Sequence, residues 1–521
     1  MGIYQNDEQE MALRIVCEHV IERKPSQLLM HIVGTRATGK SYVIDAIVQF
    51  FDRVECSVQL RVTAPTGCTA VLIRGSTIHS LMGLPQRNGR VNQSDLEVTW
   101  QDVSYLIIDE ISMVSVKLLS DISHRLCLAK SADTSASDKP FGNMNVIFTG
   151  DFRQLHPVGE QPVFGYKLVQ RLSTNVAETP TGQFALHGAC LWRQVNCVVI
   201  LRKNWCAQND APYINLLGQV RKGIAWTRKQ DFTEEQRGTG DNYDSSDYDT
   251  LGTRRVDYLL SLAPSELEAF HDAPIVVPRK QVWDAMNLRK AGMFTEMHNH
   301  ALHLYKSKDF RQKEEVPSHL HPLVWSLSPS TTNDALGNLP LCAEMPVMIT
   351  ENLSITNGVV NGAQGTVENV SFSTDEEGNR YATCVFVHIP RCNINIVEGK
   401  LDMVPIMPSS VQFCFTDASN TGFMVKRMQV PLLPAFMFTD YKAQGCSLEY
   451  VVVNLASSHS LQSIYVMLSC AMGLKRVLIL RWFPSHPIFQ SLSQDLRNKF
   501  DHLELIAEHT VEQYTVQRGV S

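Results

Sequence analysis

At 521 residues the chain is too long for a single hydrophobic core, so two to four domains are expected. Its 44% hydrophobic and 19% charged content is that of an ordinary globular protein, and no apolar run reaches the length of a membrane span. The formal charge of −6 argues against a nucleic-acid binder until it is located: Asp231, Glu234, Glu235, Asp241, Asp244, Asp247 and Asp249 against Arg237 place all of it in residues 231–250, leaving the remainder neutral.

The opening residues, Met1-Gly2-Ile3-Tyr4-Gln5-Asn6-Asp7-Glu8, lack the basic and apolar regions of a targeting peptide, which predicts an intracellular protein. Leu28 to Val33 then reads as a short apolar strand. It runs into Gly34-Thr35-Arg36-Ala37-Thr38-Gly39-Lys40-Ser41, followed by helical periodicity to Phe51. Strand, glycine-bearing loop and helix in that order form a phosphate cradle. Glycines let backbone N–H groups close around phosphate, Lys40 reaches the terminal phosphates and Ser41 binds Mg²⁺. Arg36 and Ala37 stand where small residues or glycine are usual, at some cost in backbone freedom for Ala37.

Leu60 to Thr63 and Tyr105 to Ile108 are the next strands. The latter ends in Asp109-Glu110, a carboxylate to hold the metal and a neighbour to polarise the attacking water. Asn145 to Thr149 leads into Gly150-Asp151-Phe152-Arg153-Gln154-Leu155, with Gln154 placed to sense the γ-phosphate. Alternating strands and helices predict a parallel α/β sheet. A second series, Val198 to Leu201, Ala273 to Val277, Val451 to Asn454 and Val477 to Leu480, predicts another.

Between members of that series the acidic stretch reads as a disordered loop, about 226–255. From about Pro340 to Leu433, alternating strands and turn dipeptides such as Asn357-Gly358 and Asn361-Gly362 predict an inserted antiparallel β module. Thirteen cysteines without a Cys-x-x-Cys pair read as reduced thiols. His298, His300 and His303, with His319 and His321 nearby, read as a solvated surface because no acidic or cysteine partner stands at ligand spacing.

Taken in order, these motifs resemble the Pif (petite integration frequency) family of superfamily 1, 5′→3′ DNA helicases. Asn6-Asp7-Glu8-Gln9 is similar to its Q motif, with Gln9 reading adenine. Thr63-Ala64-Pro65-Thr66-Gly67 and Gly75-Ser76-Thr77-Ile78-His79-Ser80 resemble its strand-binding motifs, and Pro140-Phe141-Gly142 its signature region. Gly150 to Val158 resembles motif III, with His156 where a proline is usual. Met345 to Met348 and Val360 to Val367 resemble the inserted module. Thr439-Asp440-Tyr441-Lys442-Ala443-Gln444-Gly445 resembles motif V, and Tyr465 to Ser469 opens motif VI.

The resemblance implies two RecA-like parallel-sheet domains with a small inserted SH3-like β module. The first would cover 1–180, with a wedge-like insertion at about 82–100. The second would cover 181–307 and 434–521, and the insert 308–433, barrel-like from about 340. It implies Mg-ATP between the domains, held by Gln9, the phosphate loop, Gln444 and Gly445. Single-stranded or forked DNA would lie across both domains, met by Pro65, Thr66, Thr77, His79, Thr439, Tyr441 and Lys442. Action in the nucleus is the family expectation, and the chain is expected to be a monomer. Two readings of Tyr441 stand side by side, a base-stacking ring and a packed interface aromatic.

Two departures matter. Cys206 and Cys470 stand where the family places arginines that reach the γ-phosphate from the second domain. An arginine finger contributes about 10³–10⁵ in rate, and an uncharged thiol cannot replace it. Arg202, Lys203, Lys475 or Arg476 substitute, or hydrolysis is impaired, or the gene has drifted. Impaired hydrolysis is the reading favoured by the motifs.

Overall fold

The computed structural model describes residues 3 and 6–517 apart from 85–92, 132–138, 166–178, 204–209, 225–246, 279, 355–356, 391, 393, 395, 397–398, 417–421, 459, 485–486 and 489. The first sheet contains β1 (Leu29–Gly34), β2 (Leu60–Ala64), β3 (Ser76–Thr77), β4 (Tyr105–Ile108), β5 (Asn145–Gly150) and β6 (Cys197–Leu201). All its pairings are parallel, in the order β3-β2-β4-β5-β1-β6. Every residue of β1 and β4 is buried, as a sheet covered on both faces requires.

Val198 to Leu201 therefore does not open the second sheet, as its place in the sequence suggested. It closes the edge of the first, hydrogen-bonded beside β1. The helix Gln494–Gln517, expected in the second domain, returns to cover it: the Val198 amide donates to Thr510 Oγ1 at 3.0 Å. An apolar run carries no label for the sheet it joins; the partner that buries it decides.

The second sheet begins with β7 (Ile275–Val277). The chain then leaves for an inserted region made of β8 (His303–Lys306), β9 (Lys308–Arg311), β10 (Glu314–Glu315), β11 (Asn338–Leu341), β12 (Pro346–Ile349), β13 (Gln364–Thr374), β14 (Arg380–His388), β15 (Met403–Ile406), β16 (Ser409–Thr416), β17 (Gly422–Gln429) and β18 (Leu432–Pro434). It returns through β19 (Met437–Thr439), β20 (Val451–Val453) and β21 (Val477–Ile479) to complete a parallel sheet of order β19-β7-β20-β21.

The insert is thus larger than the single unit expected from Pro340 onward. Its strands start at His303, ahead of the predicted boundary at 308, and form a seven-stranded and a four-stranded sheet. The reading of 226–255 as a disordered loop is also corrected at its end. Asp247–Gly252 is helical with Leu251 buried, and Arg254 bonds Glu266 and the carbonyls of Lys475 and Val477. Residues 225–246 lie outside the described residues. Of the wedge-like segment, the helix Gln93–Trp100 is described, with Leu96 and Trp100 buried in the first domain's core.

The insert docks on the first domain through glycines. A Cβ on Gly67 would lie 2.2 Å from the Asn361 carbonyl oxygen, and one on Gly362 2.1 Å from Cys68 Sγ. Only a residue without a side chain allows this approach. Gly67→Ala is expected to destabilise the protein by about 1–3 kcal/mol through overpacking, read as a lower denaturant midpoint. An unchanged midpoint would show that the contact gives way freely.

Candidate nucleotide site

The cleft is built outward from β1. Gly39 takes a left-handed backbone (φ 87°) that turns the loop into the helix Lys40–Arg53, whose Val43, Ile44, Ile47 and Phe51 face the core. Ala37 is left-handed as well (φ 64°), which bears out the conformational cost expected there. Asn6 caps the helix Asp7–Ile21, accepting from the amides of Glu8 and Gln9. Gln9 is thereby aimed at the loop, and its Nε2 donates to the Thr38 carbonyl at 2.8 Å.

A cavity of about 480 Å³ opens here, lined from the first domain by Gln9, Arg36, Ala37, Gly39, Lys40 and Ser41, with Asp109, Glu110 and Gln154. Gln444, Gly445, Ser447, Val466 and Ser469 face them from the second domain. Among the expected binding residues, Gly34, Thr35 and Thr38 shape the loop from behind: Thr38 Oγ1 donates to the Thr35 carbonyl at 2.7 Å. Lys40 Nζ folds onto the carbonyls of Gly34 (2.9 Å) and Thr35 (3.2 Å), the nearest acceptors for its charge.

The two carboxylates at the end of β4 differ. Asp109 accepts a short hydrogen bond from Thr149 Oγ1. Glu110 occupies the left-handed region (φ 51°, ψ 48°). Burial, then the neighbouring Asp109 charge, push its carboxyl up to about 7 against the opposing pull of Lys40 and of the Gln444 hydrogen bond. Gln444 Nε2 donates to Glu110 Oε2 at 2.8 Å, while its Oε1 accepts from the Leu155 amide at 3.3 Å. One second-domain side chain therefore touches both first-domain motifs. Gln154 lines the cleft and is buried, and its Oε1 has no hydrogen-bond partner among the described residues.

Sequence reasoning missed Tyr42, Thr69, Leu72, Ile73, Ser447, Val466 and Ser469 as lining residues. Tyr42 adjoins the phosphate loop and was within reach of that motif; the others carry no local signal. It also missed the buried pair of Asp151 with Arg221, bidentate at 2.6 and 2.9 Å. Arg221 belongs to the helix Ala211–Lys222, which meets the helix Leu461–Ser469 where Tyr213 Oη donates to the Leu468 carbonyl at 2.6 Å.

The strand-binding candidates occupy separate short segments, of which Thr66 adjoins Gly67 at the insert's approach and Lys442 meets β12. Thr66, Thr77 and Thr439 each cap a short helix, accepting from the amides of Thr69, Ser80 and Lys442. Pro65 is half-buried and His79 exposed, and Lys442 lies against Met348 of β12. Tyr441 Oη donates to the His156 carbonyl at 2.9 Å, so of its two readings the interface aromatic describes its contact. Pro140-Phe141-Gly142 is packing: Phe141 is buried and its amide donates to Ser123 Oγ at 2.9 Å.

Cys206 lies outside the described residues. Cys470 is fully buried behind the cleft, its thiol donating to the carbonyls of Val466 (3.2 Å) and Ala443 (3.4 Å). Two proposed substitutes are engaged elsewhere. Arg202 pairs with Glu504 (2.5 Å) and Glu8 (3.7 Å), and Arg476 with Glu449 (3.6 Å). Neither they nor Lys203 or Lys475 line the cavity. Of the histidines read as a surface cluster, His300 reaches Glu344 at 3.3 Å, yet among the described residues no group of three ligands could hold a metal.

Residues 4–229 match the family model described as PIF1-like helicase. Among curated proteins, the human "ATP-dependent DNA helicase PIF1" is 25% identical over 460 residues, covering 87% of this chain and 58% of that protein. The Saccharomyces cerevisiae "ATP-dependent DNA helicase RRM3" is 28% identical over 244 residues, covering 45% of this chain and 29% of that protein. The chain thus spans little more than half the length of the human relative. Among solved structures, Pif1 helicase from Candida albicans superposes with a TM-score of 0.62 at 21% identity, covering 96% of this chain and 98% of that one. Pif1 helicase from Bacteroides, in complex with ADP-AlF3 and ssDNA, superposes with a TM-score of 0.63 at 18% identity, covering 94% and 96%. Both share the fold of two parallel-sheet α/β domains. Residues 4–229 match the PIF1-like helicase model, these two curated relatives are DNA helicases at 25% and 28% identity, and the two-domain fold is shared with solved Pif1 helicases, so the chain is similar to Pif1 helicases in sequence motifs and in fold.

Proposed function

We propose that this chain is an ATP-driven motor that moves 5′→3′ along single-stranded DNA, opens forked duplexes and serves genome maintenance: repair, recombination and telomere upkeep. One observation carries the reading. The phosphate loop, Asp109-Glu110 and Gln154 of one domain face Gln444 of the other across a single cavity, so a nucleotide bound there touches both. Binding would then favour the closed arrangement, and loss of the terminal phosphate the open one, to the extent that the two differ in contacts.

Ser41 and Asp109 would hold a magnesium ion: a hydroxyl and a buried carboxylate line the cleft together, the oxygen donors that a hard dication takes, and the dication's charge would also favour the ionised form of neighbouring Glu110. Magnesium bound with ATP would neutralise charge on the phosphate chain. Lys40 would exchange its loop carbonyls for the terminal phosphates. Glu110 would take the proton of the attacking water, and Gln154 would accept a hydrogen bond from that water or report the γ-phosphate through its amide. Gln444 would hold Glu110 in place.

A second reading rests on Cys470: a buried thiol behind the cleft supplies no charge to it, and a protein that binds ATP and DNA with weak turnover follows. Steady-state hydrolysis with and without single-stranded DNA, and unwinding of a fork with a 5′ tail, decide between the two. Turnover stimulated by DNA and fork opening are the expected results. Nucleotide bound but not hydrolysed would establish the second reading. Failure of the unaltered protein to bind nucleotide, matching Lys40→Ala, would overturn both.

A further inference from the structure

The cleft holds a cation on the opposite side from the one the family resemblance implies. Among the described residues that line it, the cationic side chains are Lys40 and Arg36. Arg36 is the third residue of the phosphate loop, between Gly34 and the left-handed Ala37. Its guanidinium leaves the loop and crosses the cleft, where Nη2 donates to Ser447 Oγ of the second domain at 3.1 Å. The backbone of Arg36 is also hydrogen-bonded to Tyr465, in the helix that ends at Cys470. Its charge is felt at Tyr213, Cys446 and Tyr465, all on the second-domain side.

The other arginines near this junction are committed. Arg221 is bidentate on Asp151, Arg153 stacks 3.6 Å over the Phe500 ring, and Arg202 and Arg476 hold surface carboxylates. Ser447 is a weaker partner. A neutral hydroxyl at the mouth of the cleft competes poorly with a phosphate, to which a guanidinium donates charge-assisted and often paired hydrogen bonds.

We propose that Arg36 supplies the arginine contact to the terminal phosphate of bound ATP, in place of the second-domain arginines whose positions hold Cys206 and Cys470. The charge then comes from the phosphate loop itself. A guanidinium carries five N–H donors, so Nη2 keeps Ser447 while the remaining donors meet the phosphate; the second domain thus orients the group, and closure and hydrolysis stay linked although the arginine has changed sides. Arg36 is catalytic on this assignment because it touches the reacting phosphate. The inference rests on reading the cleft as an ATP site.

Two measurements test it on the full chain, with Lys40→Ala as the control for nucleotide binding. The first is affinity for fluorescent ATPγS and ADP. Arg36→Gln is expected to lose about tenfold or more for ATPγS while ADP binding changes less than about threefold, because only the triphosphate carries the contacted group. The second is turnover, expected to fall about 10²- to 10³-fold in Arg36→Gln, at or below the lower end of an arginine finger's contribution, with partial recovery in Arg36→Lys. Equal loss of ATPγS and ADP would reduce Arg36 to a structural part of the loop. Undiminished or faster turnover in Arg36→Gln would overturn the assignment outright. An unaltered protein that binds neither nucleotide would instead overturn the ATP site on which the inference rests, so the two failures are distinguishable.

Discussion

Glu110→Gln is expected to lower ATP turnover by about 10²–10⁴-fold, the usual contribution of a general base, with Mg-ATP still bound. The carboxylate stands at the end of a fully buried strand, in a left-handed backbone conformation that packing must hold. Burial and the Asp109 charge raise its proton affinity to about 7, suited to taking a proton from water near neutrality. Glutamine has the same shape, and its amide oxygen can still accept from Gln444 Nε2, so the cleft should keep its geometry. Single-turnover hydrolysis beside fluorescent-nucleotide binding makes the measurement. Turnover within about threefold of the unaltered protein would remove Glu110 from the chemistry. Loss of binding together with turnover would make it a binding residue instead.

Asp309→Ala is expected to cost the inserted region about 3–5 kcal/mol, the penalty for stranding a buried charge. Asp309 on β9 and Arg427 on β17 stand directly opposite one another in the four-stranded sheet. Both are essentially inaccessible, bonded at 2.8 and 2.9 Å. Arg427 also donates to the carbonyls of Val324 (2.7 Å) and Ala335 (3.0 Å), tying two connecting segments to the sheet. Removing the carboxylate leaves the guanidinium half-satisfied in a dry site. Hydrogen exchange of residues 308–311 and 422–429 should accelerate by orders of magnitude, while β1 and β4 remain protected. Asp309→Leu with Arg427→Met, which removes both charges, should recover most of the loss. If the single and double variants exchange alike, the pair is not what holds the sheet.

Much of the nucleotide half was legible because its chemistry is local. A phosphate loop must be contiguous so that successive amides can surround one anion, and Gly34 to Ser41 declares it. Strands buried on both faces read as apolar runs, so β1, β4 and β5 were recognisable to within a residue or so of their ends, and the half-buried β2, interrupted by Arg61, was placed equally closely. The inserted region was legible in kind through its turns. Its extent was not, because β8 to β10 are short and polar-edged and become strands only by pairing with β11, β14 and β17.

By itself the sequence carried a phosphate-loop motif, an acidic strand end and the order of motifs that resembles the family's, each a short segment whose residues act on one another along the chain. Tertiary structure alone decided the rest. β6 joins the first sheet because β1 offers it an edge, and the final helix returns because that edge must be covered. Gln444 reaches Glu110 across more than 300 residues of sequence. Arg36 faces the second domain, while Cys470, whose position suggested a place at the cleft, is buried behind it. Contacts between distant segments depend on how the sheets pack, and packing is a property of the whole chain.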